Sequence, residues 1–423
     1  MSFLSLPTQY PSHAISIPKK RVAKLTLWPL VAATFFMVSG GTYGTEEIVN
    51  GAGYGHGILI LLFLPVLWCL PTAFMIGELS SALPEEGGYY AWVRRGLGNF
   101  WGFQEAWLSL AASIFDMAIY PTLFVFYLKQ MSPWFGVGNH GVLAGLFVVV
   151  TCAALNVAGI RVVGITSLWL FFMLSAPFAL IVVLAPMRAS ALGGVHASET
   201  GAGLGLLGGV LVAMWNYMGW DNASTIAQEV EKPQRTYPKA MIAAVVLVSL
   251  TYVLPFLAVY AMGVPASTFA EDGSWATVAG LVGGKIMGFE WLRFLVVLGG
   301  MMSAFGMFNA LVMSYSRLPL AMARDGMLPK ICRDQGGHQG TLGGDYCLCD
   351  MLGSLPGPRI QEAGDARHHA LRRGVDAGIC DTGGVAHSRA EFEARIPRAW
   401  GIDRCDSRRP IPVDPAEYRD GGK

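Results

Sequence analysis

Two aspartates stand inside long apolar stretches of the sequence, where an ionised carboxylate is costly. Asp116 lies within the apolar run 106–128, and Asp221 directly follows the aromatic-rich run 215–220. A carboxylate in a membrane-spanning segment is by default a functional hypothesis, because it can carry a proton or meet an amine. We therefore predict that both aspartates act in proton or amine coupling. The structural alternatives are a buried Asp116 that is hydrogen-bonded to a neighbouring helix and a helix N-terminus capped by Asp221.

Glycines and short polar residues interrupt two of the apolar stretches. The first interruption is the run 39–47, SGGTYGTEE, and the second is the run 216–222, NYMGWDN. A helix broken at the middle of a membrane leaves free N–H and C=O groups, which bind charged groups without a net charge in the lipid. The alternative is a pair of glycine-rich faces that let helices pack closely. The residues predicted to bind a substrate at these breaks are Ser39, Gly40, Gly41, Thr42, Gly44, Asn216, Tyr217 and Gly219.

Aromatic and acidic residues flank the two interruptions. Trp215 and Trp220 are predicted to form a gate, because the face of an indole ring attracts a cation. Their alternative role is packing against lipid or against the protein core. Glu46 and Glu47 either cap the helix that begins there or bind a cation. The sequence leaves both of these choices open.

The composition excludes an ordinary soluble enzyme. Of the 423 residues, 53% are hydrophobic and 14% are charged, whereas soluble domains carry about 25% charged residues. The formal net charge of +1 lacks the basic excess that nucleic-acid binding requires. The run 205–209, GLLGG, lacks the Lys-Ser/Thr pair of a phosphate-binding loop, and no dinucleotide fingerprint or metalloprotease helix is present. We therefore predict no enzyme activity, no cofactor, no metal site and no nucleic-acid partner.

Eight apolar stretches are long enough to cross a membrane, which takes about 20 residues. Backbone groups in lipid must be satisfied within the segment, so these stretches are predicted to be helices. The two interrupted stretches are the first and the sixth, and this spacing of five suggests two five-helix repeats of opposite orientation. The predicted spans are 26–50, 57–83, 99–130, 140–160, 162–186, 204–230, 238–263 and 290–318.

The positive residues of the short loops predict the orientation of the chain. Lys and Arg concentrate on the side of the N-terminal arm, and the cytoplasmic side of a membrane protein carries this excess. The other side has only Lys129, Arg188 and Lys285 between the predicted spans. The N-terminus is therefore predicted to be cytoplasmic, in a multi-pass protein of the plasma (inner) membrane.

The region 331–423 differs in composition from the rest of the chain. It contains twelve arginines, a single lysine and five of the seven cysteines. A GC-rich gene that is read out of frame gives such a composition, and a genuine disordered tail is the alternative. Zinc binding is disfavoured, because only one residue separates Cys347 from Cys349, whereas about two to four residues separate the cysteines of zinc-binding pairs. We predict a cytoplasmic arm over 1–25, a transmembrane region over 26–330 and this tail.

Five motifs in family order resemble the amino acid–polyamine–organocation (APC) superfamily of secondary transporters. The likeness is to its L-type amino acid and polyamine-uptake branch, and it extends from about Lys24 to Pro329. The tail shows no such likeness. The motifs are the first-span break at 38–46, the loop PEEGGYYAWV at 84–93, the third-span motif at 116–121, the loop at 229–238 and the segment at 316–329.

The resemblance implies an all-α membrane protein with the five-plus-five inverted-repeat (LeuT/APC-type) fold, truncated in the second repeat. It implies secondary active transport of amino acids or polyamines by alternating access, driven by proton coupling or exchange. A substrate carboxylate would meet the first break, and a substrate amine would meet carbonyls of both breaks. Trp215 falls at the aromatic gate of the family, Asp221 falls near its proton-coupling position, and Asp116 falls where the polyamine branch carries an acid. The implied partners are the substrate, protons and the lipid bilayer.

Two alternatives to transport remain open at this point. If the tail replaces the last spans of the second repeat, the chain could be an inactive truncated product. A membrane sensor that signals through its tail is the other alternative, although the tail shows no regular helical periodicity.

Overall fold

The computed structural model describes residues 24–189, 205–270, 273–286 and 288–328. The predictions for most of the N-terminal arm and for the tail 331–423 fall outside these residues. Within the described residues the chain is helical and has only two isolated β-bridges. The α-helices are α1 (Leu27–Val38), α2 (Glu46–Leu64), α3 (Leu70–Ala82), α4 (Tyr89–Leu97), α5 (Asn99–Met131), α6 (His140–Ala158), α7 (Ile160–Ala189), α8 (Gly205–Asn216), α9 (Pro233–Met262), α10 (Ser274–Gly283), α11 (Trp291–Tyr315) and α12 (Arg317–Arg324).

Six helical segments of the described residues are long and apolar enough to cross a membrane. They confirm the second to fifth, seventh and eighth predicted spans. The first and sixth stretches do not reach this length, because each is divided by its interruption. The six segments are Glu46–Ala82, Asn99–Met131, His140–Ala158, Ile160–Arg188, Pro233–Met262 and Trp291–Arg324.

The predicted boundary between the first two spans, at residues 50–57, is wrong. The structure joins the second half of the first span to the second span in one helical segment, Glu46–Ala82. The bend lies inside α2 at Gly53, whose φ of +76° is a conformation that glycine adopts readily. A π-helical turn, Pro65–Cys69, connects α2 to α3. The sequence also gave no indication of α10, which is apolar but has only ten residues.

The core of the bundle lies around α1 and α11. Every residue of α1 from Leu30 to Val38 is buried. In the most apolar part of the Trp291–Arg324 segment 72% of the residues are buried, against 22% in α6. Glycines permit the close crossing: a Cβ on Gly306 would lie 2.5 Å from the ring of Phe36. The exposed apolar side chains of α6 are then suited to face lipid.

Candidate functional site

The first break separates α1 from α2 over residues 39–45. The N–H of Ser39 closes the last turn of α1 on the carbonyl of Phe35 at 2.7 Å, and its hydroxyl accepts a hydrogen bond from the N–H of Gly41 at 2.9 Å. Gly41 and Gly44 have φ values of +72° and +86°, which side chains disfavour. The glycines predicted to interrupt the helix therefore do so through left-handed backbone.

Neighbouring helices hold the first break in place. The hydroxyl of Ser303 on α11 donates to the carbonyl of Gly40 at 2.6 Å. The hydroxyl of Thr42 donates to the carbonyl of Thr251 on α9 at 2.7 Å. The Thr42 side chain is therefore hydrogen-bonded to α9. Thr42 and Gly40 can contact a substrate through their backbone groups.

Backbone groups at this break remain free. The N–H groups of Gly40 and Thr42 donate no hydrogen bond within the described residues, and the carbonyls of Met37 and Val38 accept none there. A helix C-terminus carries partial negative charge and attracts a cation. The end of α1 can therefore bind an amine through carbonyls, while the adjacent N–H groups can bind a carboxylate.

The second break lies between α8 and a 3₁₀ segment, Trp220–Glu229. Gly219 has a φ of +101°, and a Cβ at this position would lie 2.4 Å from the carbonyl oxygen of Met37. Only a residue without a side chain permits this approach. The second break is therefore packed directly against the end of α1.

Asn216 joins the two breaks. Its Nδ2 donates to the carbonyl of Gly44 at 3.1 Å and to the carbonyl of Val212 at 2.9 Å. Its own carbonyl accepts a hydrogen bond from the hydroxyl of Tyr252 at 2.8 Å. The structure thus brings Gly44, Asn216 and Gly219 together from distant parts of the sequence. Their role in substrate binding stays a prediction.

Tyr217 is buried against α2 and α9. Its side chain is fully buried, and its hydroxyl donates to the carbonyl of Leu61 on α2 at 2.9 Å. Its ring packs edge-on against Tyr252 at 4.9 Å. Its side chain therefore fixes the second break to α2 and α9.

The two predicted gate tryptophans differ in environment. Trp215 is 42% exposed, whereas Trp220 is 1% exposed. Gly219, whose backbone is left-handed, lies between the two tryptophans. The helical period therefore does not predict whether their side chains share a face. Trp215 remains the candidate for a movable aromatic gate, and Trp220 is a core residue in this conformation.

The two aspartates lie on different elements near Tyr315. The hydroxyl of Tyr120, one turn further along α5, donates to both carboxylate oxygens of Asp116 at 3.1 Å. Asp221 lies in the first turn of the 3₁₀ segment, and its side chain is exposed. Both carboxylates act electrostatically on the hydroxyl of Tyr315. The structure therefore supports a shared acidic region on the side of α5 and α11.

Glu105 is an acidic residue that the sequence interpretation missed. It lies on α5, accepts a hydrogen bond from Ser109 at 3.0 Å, and has one buried carboxylate oxygen without a hydrogen-bond partner in the described residues. Burial is the largest cause that raises the pKa of Tyr89 well above its ordinary value, and the negative charges of Asp221 and Glu105 raise it further. A carboxylate inside the predicted span 99–130 was the available signal.

Glu46 binds the backbone of the first break rather than an N–H group of α2, so the choice between helix capping and cation binding stays open. Its Oε2 accepts a hydrogen bond from the N–H of Gly44 at 2.6 Å, and the residue is 9% exposed at the first turn of α2.

No group of three or more His, Cys, Asp or Glu among the described residues could hold a metal ion.

These features define a class of membrane protein with two discontinuous spans at its centre. The solved structure of MhsT in complex with L-phenylalanine has the same fold, with a TM-score of 0.56 and 13% identity. The superposition covers 87% of this chain and 85% of MhsT. The predicted five-plus-five inverted-repeat fold is thereby confirmed.

The chain belongs to the amino acid permease family, whose model matches residues 31–344. The family and the relatives below consist of permeases, not enzymes, and the chain is a multi-pass membrane protein. This confirms the resemblance to the APC superfamily that the sequence motifs showed.

Several curated transporters are similar to this chain. The polyamine transporter RMV1 of Arabidopsis thaliana is 32% identical over 77% of this chain and 64% of its own length. The polyamine transporter PUT1 of rice is 35% identical over 72% and 56% respectively. The serine/threonine exchanger SteT of Bacillus subtilis is 23% identical over 74% and 70%. The chain thus spans less than two thirds of the length of these plant relatives.

Proposed function

We propose that this chain carries amino acids or polyamines across the plasma membrane by alternating access, with its N-terminus in the cytoplasm. The observation that carries the proposal is the direct contact of two broken spans, where Gly219 approaches Met37 and Asn216 binds Gly44. Discontinuous helices that meet at mid-membrane are the usual substrate site of such transporters. The polyamine transporters and the serine/threonine exchanger among the relatives support the two substrate classes.

The proposed binding mode follows from the free backbone groups. A substrate amine binds the carbonyls at the end of α1, and a carboxylate, where the substrate has one, binds the N–H groups of Gly40 and Thr42. Trp215 closes over the bound substrate. Asp116 or Asp221 carries the proton, or contacts a second amine, so that its charge biases the equilibrium between outward and inward states. Coupling by exchange is the alternative to proton coupling.

The proposal is tested by uptake into proteoliposomes that contain the purified chain. We expect accumulation of radiolabelled putrescine, spermidine, serine or threonine above protein-free liposomes, and the set of accumulated compounds identifies the substrate class. Binding of these compounds without uptake would favour a sensor or an inactive product instead.

A glycine substitution tests whether the contact of the breaks is required. Gly219→Ala introduces a Cβ 2.4 Å from the carbonyl of Met37, in a left-handed conformation. We expect uptake to fall by at least about tenfold, which corresponds to about 1.4 kcal/mol. Gly55→Ala is the control, because its Cβ meets no atom within 4 Å. Normal uptake by Gly219→Ala would contradict the proposed site.

A further inference from the structure

A groove of about 660 Å³ lies on the surface of the bundle between α3 and α9. The two helices touch at Gly77, where an added Cβ would lie 3.6 Å from the Cα of Pro238. Residues that line the groove follow one another on each helix at steps of four, which places them on one helix face. They include Phe74, Glu78 and Ala82 on α3 and Gln234 and Pro238 on α9.

The carboxylate of Glu78 is unpaired in the part of the chain that the structure describes. It is exposed, and it forms no hydrogen bond and no ion pair there. Glutamates of the loop that follows α3 differ in this respect. Glu85 pairs with Arg95 at 2.7 Å, and Glu86 pairs with Arg324. Glu78 therefore brings an uncompensated negative charge into a groove whose other walls are largely apolar.

The position of Glu78 along α3 corresponds to the polar layer of a membrane. It precedes the end of α3 at Ala82 by four residues, or about 6 Å at the helical rise of about 1.5 Å per residue. The headgroup layer on each side of the hydrocarbon is about 5–8 Å deep. A carboxylate near the hydrocarbon is costly unless it is paired, and at this depth the available cations are those of lipid headgroups.

Two basic side chains lie on α9 beside the groove. Arg235 and Lys239 directly follow the lining residues Gln234 and Pro238, and both are exposed. Neither forms an ion pair with Glu78 or with any other described residue. The groove therefore presents an acid on one helix and two bases on the other. This arrangement is complementary to a zwitterion that carries an ammonium and a phosphate.

Apolar side chains extend the groove towards the middle of the membrane. On α9 the exposed residues Ile242, Val246 and Leu250 continue the line of Pro238 at steps of four. On α3 the exposed ring of Phe74 follows Glu78 in the same direction. A continuous apolar surface of this kind suits acyl chains. A water-soluble amine would leave this surface uncovered, whereas a phospholipid covers both the charged groove and the apolar strip.

We propose that the groove binds one phospholipid whose headgroup carries a primary ammonium, the chemistry of phosphatidylethanolamine. Glu78 accepts hydrogen bonds from the ammonium, and Arg235 and Lys239 bind the phosphate. The quaternary ammonium of phosphatidylcholine has no N–H to donate, and phosphatidylglycerol has no cation. None of these residues belongs to the two breaks, so the lipid site does not depend on the proposed transport.

Native mass spectrometry of the full chain in detergent, titrated with each of these three phospholipids, tests the site. We expect wild type to bind phosphatidylethanolamine at least about tenfold more tightly than the other two, and Glu78→Gln to reduce this preference to within about twofold, because charge-assisted hydrogen bonds are lost. The matched control is Glu231→Gln, which removes the same charge at an exposed residue outside the groove and is expected to keep the preference. Equal binding of the three lipids by wild type, or an equal loss in both variants, would overturn the proposal.

Two further variants test the shape of the groove and its basic side. Ala82→Trp fills the groove without a change of charge and is expected to weaken phosphatidylethanolamine binding by at least about tenfold. The double variant Arg235→Gln with Lys239→Gln is expected to weaken binding of all three lipids, because each of them carries a phosphate. Unchanged binding of phosphatidylethanolamine by Ala82→Trp would contradict the site.

The basic N-terminal arm is the competing occupant of the groove. The N–H of Glu231 donates to the carbonyl of Leu25 at 2.9 Å, which brings the end of the arm to the start of α9. The arm carries Lys19, Lys20 and Arg21, and substitution of all three by glutamine in the full chain removes its charge. We expect this variant to bind phosphatidylethanolamine as wild type does. A preference that appears only in this variant would assign the groove to the arm and overturn the lipid site.

Discussion

The contact between Asp116 and Tyr120 separates the two roles that the sequence allowed for this aspartate. If Asp116 serves only as an acceptor for the Tyr120 hydroxyl, then Asp116→Asn keeps an amide oxygen that can accept the same hydrogen bond, and only Tyr120→Phe removes the interaction. If its charge carries a proton or binds an amine, only the aspartate substitution removes that charge.

We expect Asp116→Asn to reduce uptake of the transported amine by at least about tenfold, because a neutral amide cannot balance an ammonium group or carry a proton. Tyr120→Phe is the control and is expected to retain most of the uptake, since the carboxylate remains. Initial rates in proteoliposomes measure both variants. A loss for Asp116→Asn that is no larger than the loss for Tyr120→Phe would assign Asp116 a structural role.

Individual side-chain directions near the second break were beyond prediction from the sequence. The polar and glycine residues at 39–44 and 216–219 were identified, because their types alone indicate broken helices. Trp215 and Trp220 were given one role, yet one is exposed and the other buried. The left-handed backbone at Gly219 removes the helical period on which such a prediction depends.

At the scale of elements, hydropathy located the long helices well and missed the short ones. α10 and α4 have ten and nine residues, so neither gives a signal in a window of about 20 residues. The bend at Gly53 was also missed, because the apolar character continues through it. The sequence does not show which helices cross closely. In this structure, glycines of α11 allow the close crossing with α1.

The crossing of α1 and α11 predicts a stability effect. Gly306→Val places a Cβ 2.5 Å from the ring of Phe36, and overpacking of this kind costs about 1–3 kcal/mol. We expect a lower midpoint of thermal unfolding in detergent. Gly96→Val is the control, since a Cβ at this position near the end of α4 meets no atom within 4 Å. An unchanged midpoint for Gly306→Val would show that α1 and α11 can move apart at little cost.

At the scale of the whole molecule, the described residues contain five spans of one repeat and three of the next, with the breaks at the first position of each. The helical repeats place both breaks at one site, although 172 residues separate Gly44 from Asn216. That pairing was predicted from the spacing of five spans. It could not be derived from the local sequence of either break.

The charge of the substrate then determines how the whole molecule responds to membrane potential. A dication such as putrescine gains about 4.6 kcal/mol on entering a compartment held 100 mV negative, enough for accumulation of about 10³-fold, whereas a zwitterion gains nothing directly. If the acidic region around Asp116 and Asp221 serves a second amine, we expect a potassium diffusion potential, negative inside, to stimulate putrescine uptake into proteoliposomes and to leave serine exchange unaffected. Serine exchange without putrescine uptake would show instead that the N–H groups of the first break, which suit a carboxylate, select the substrate.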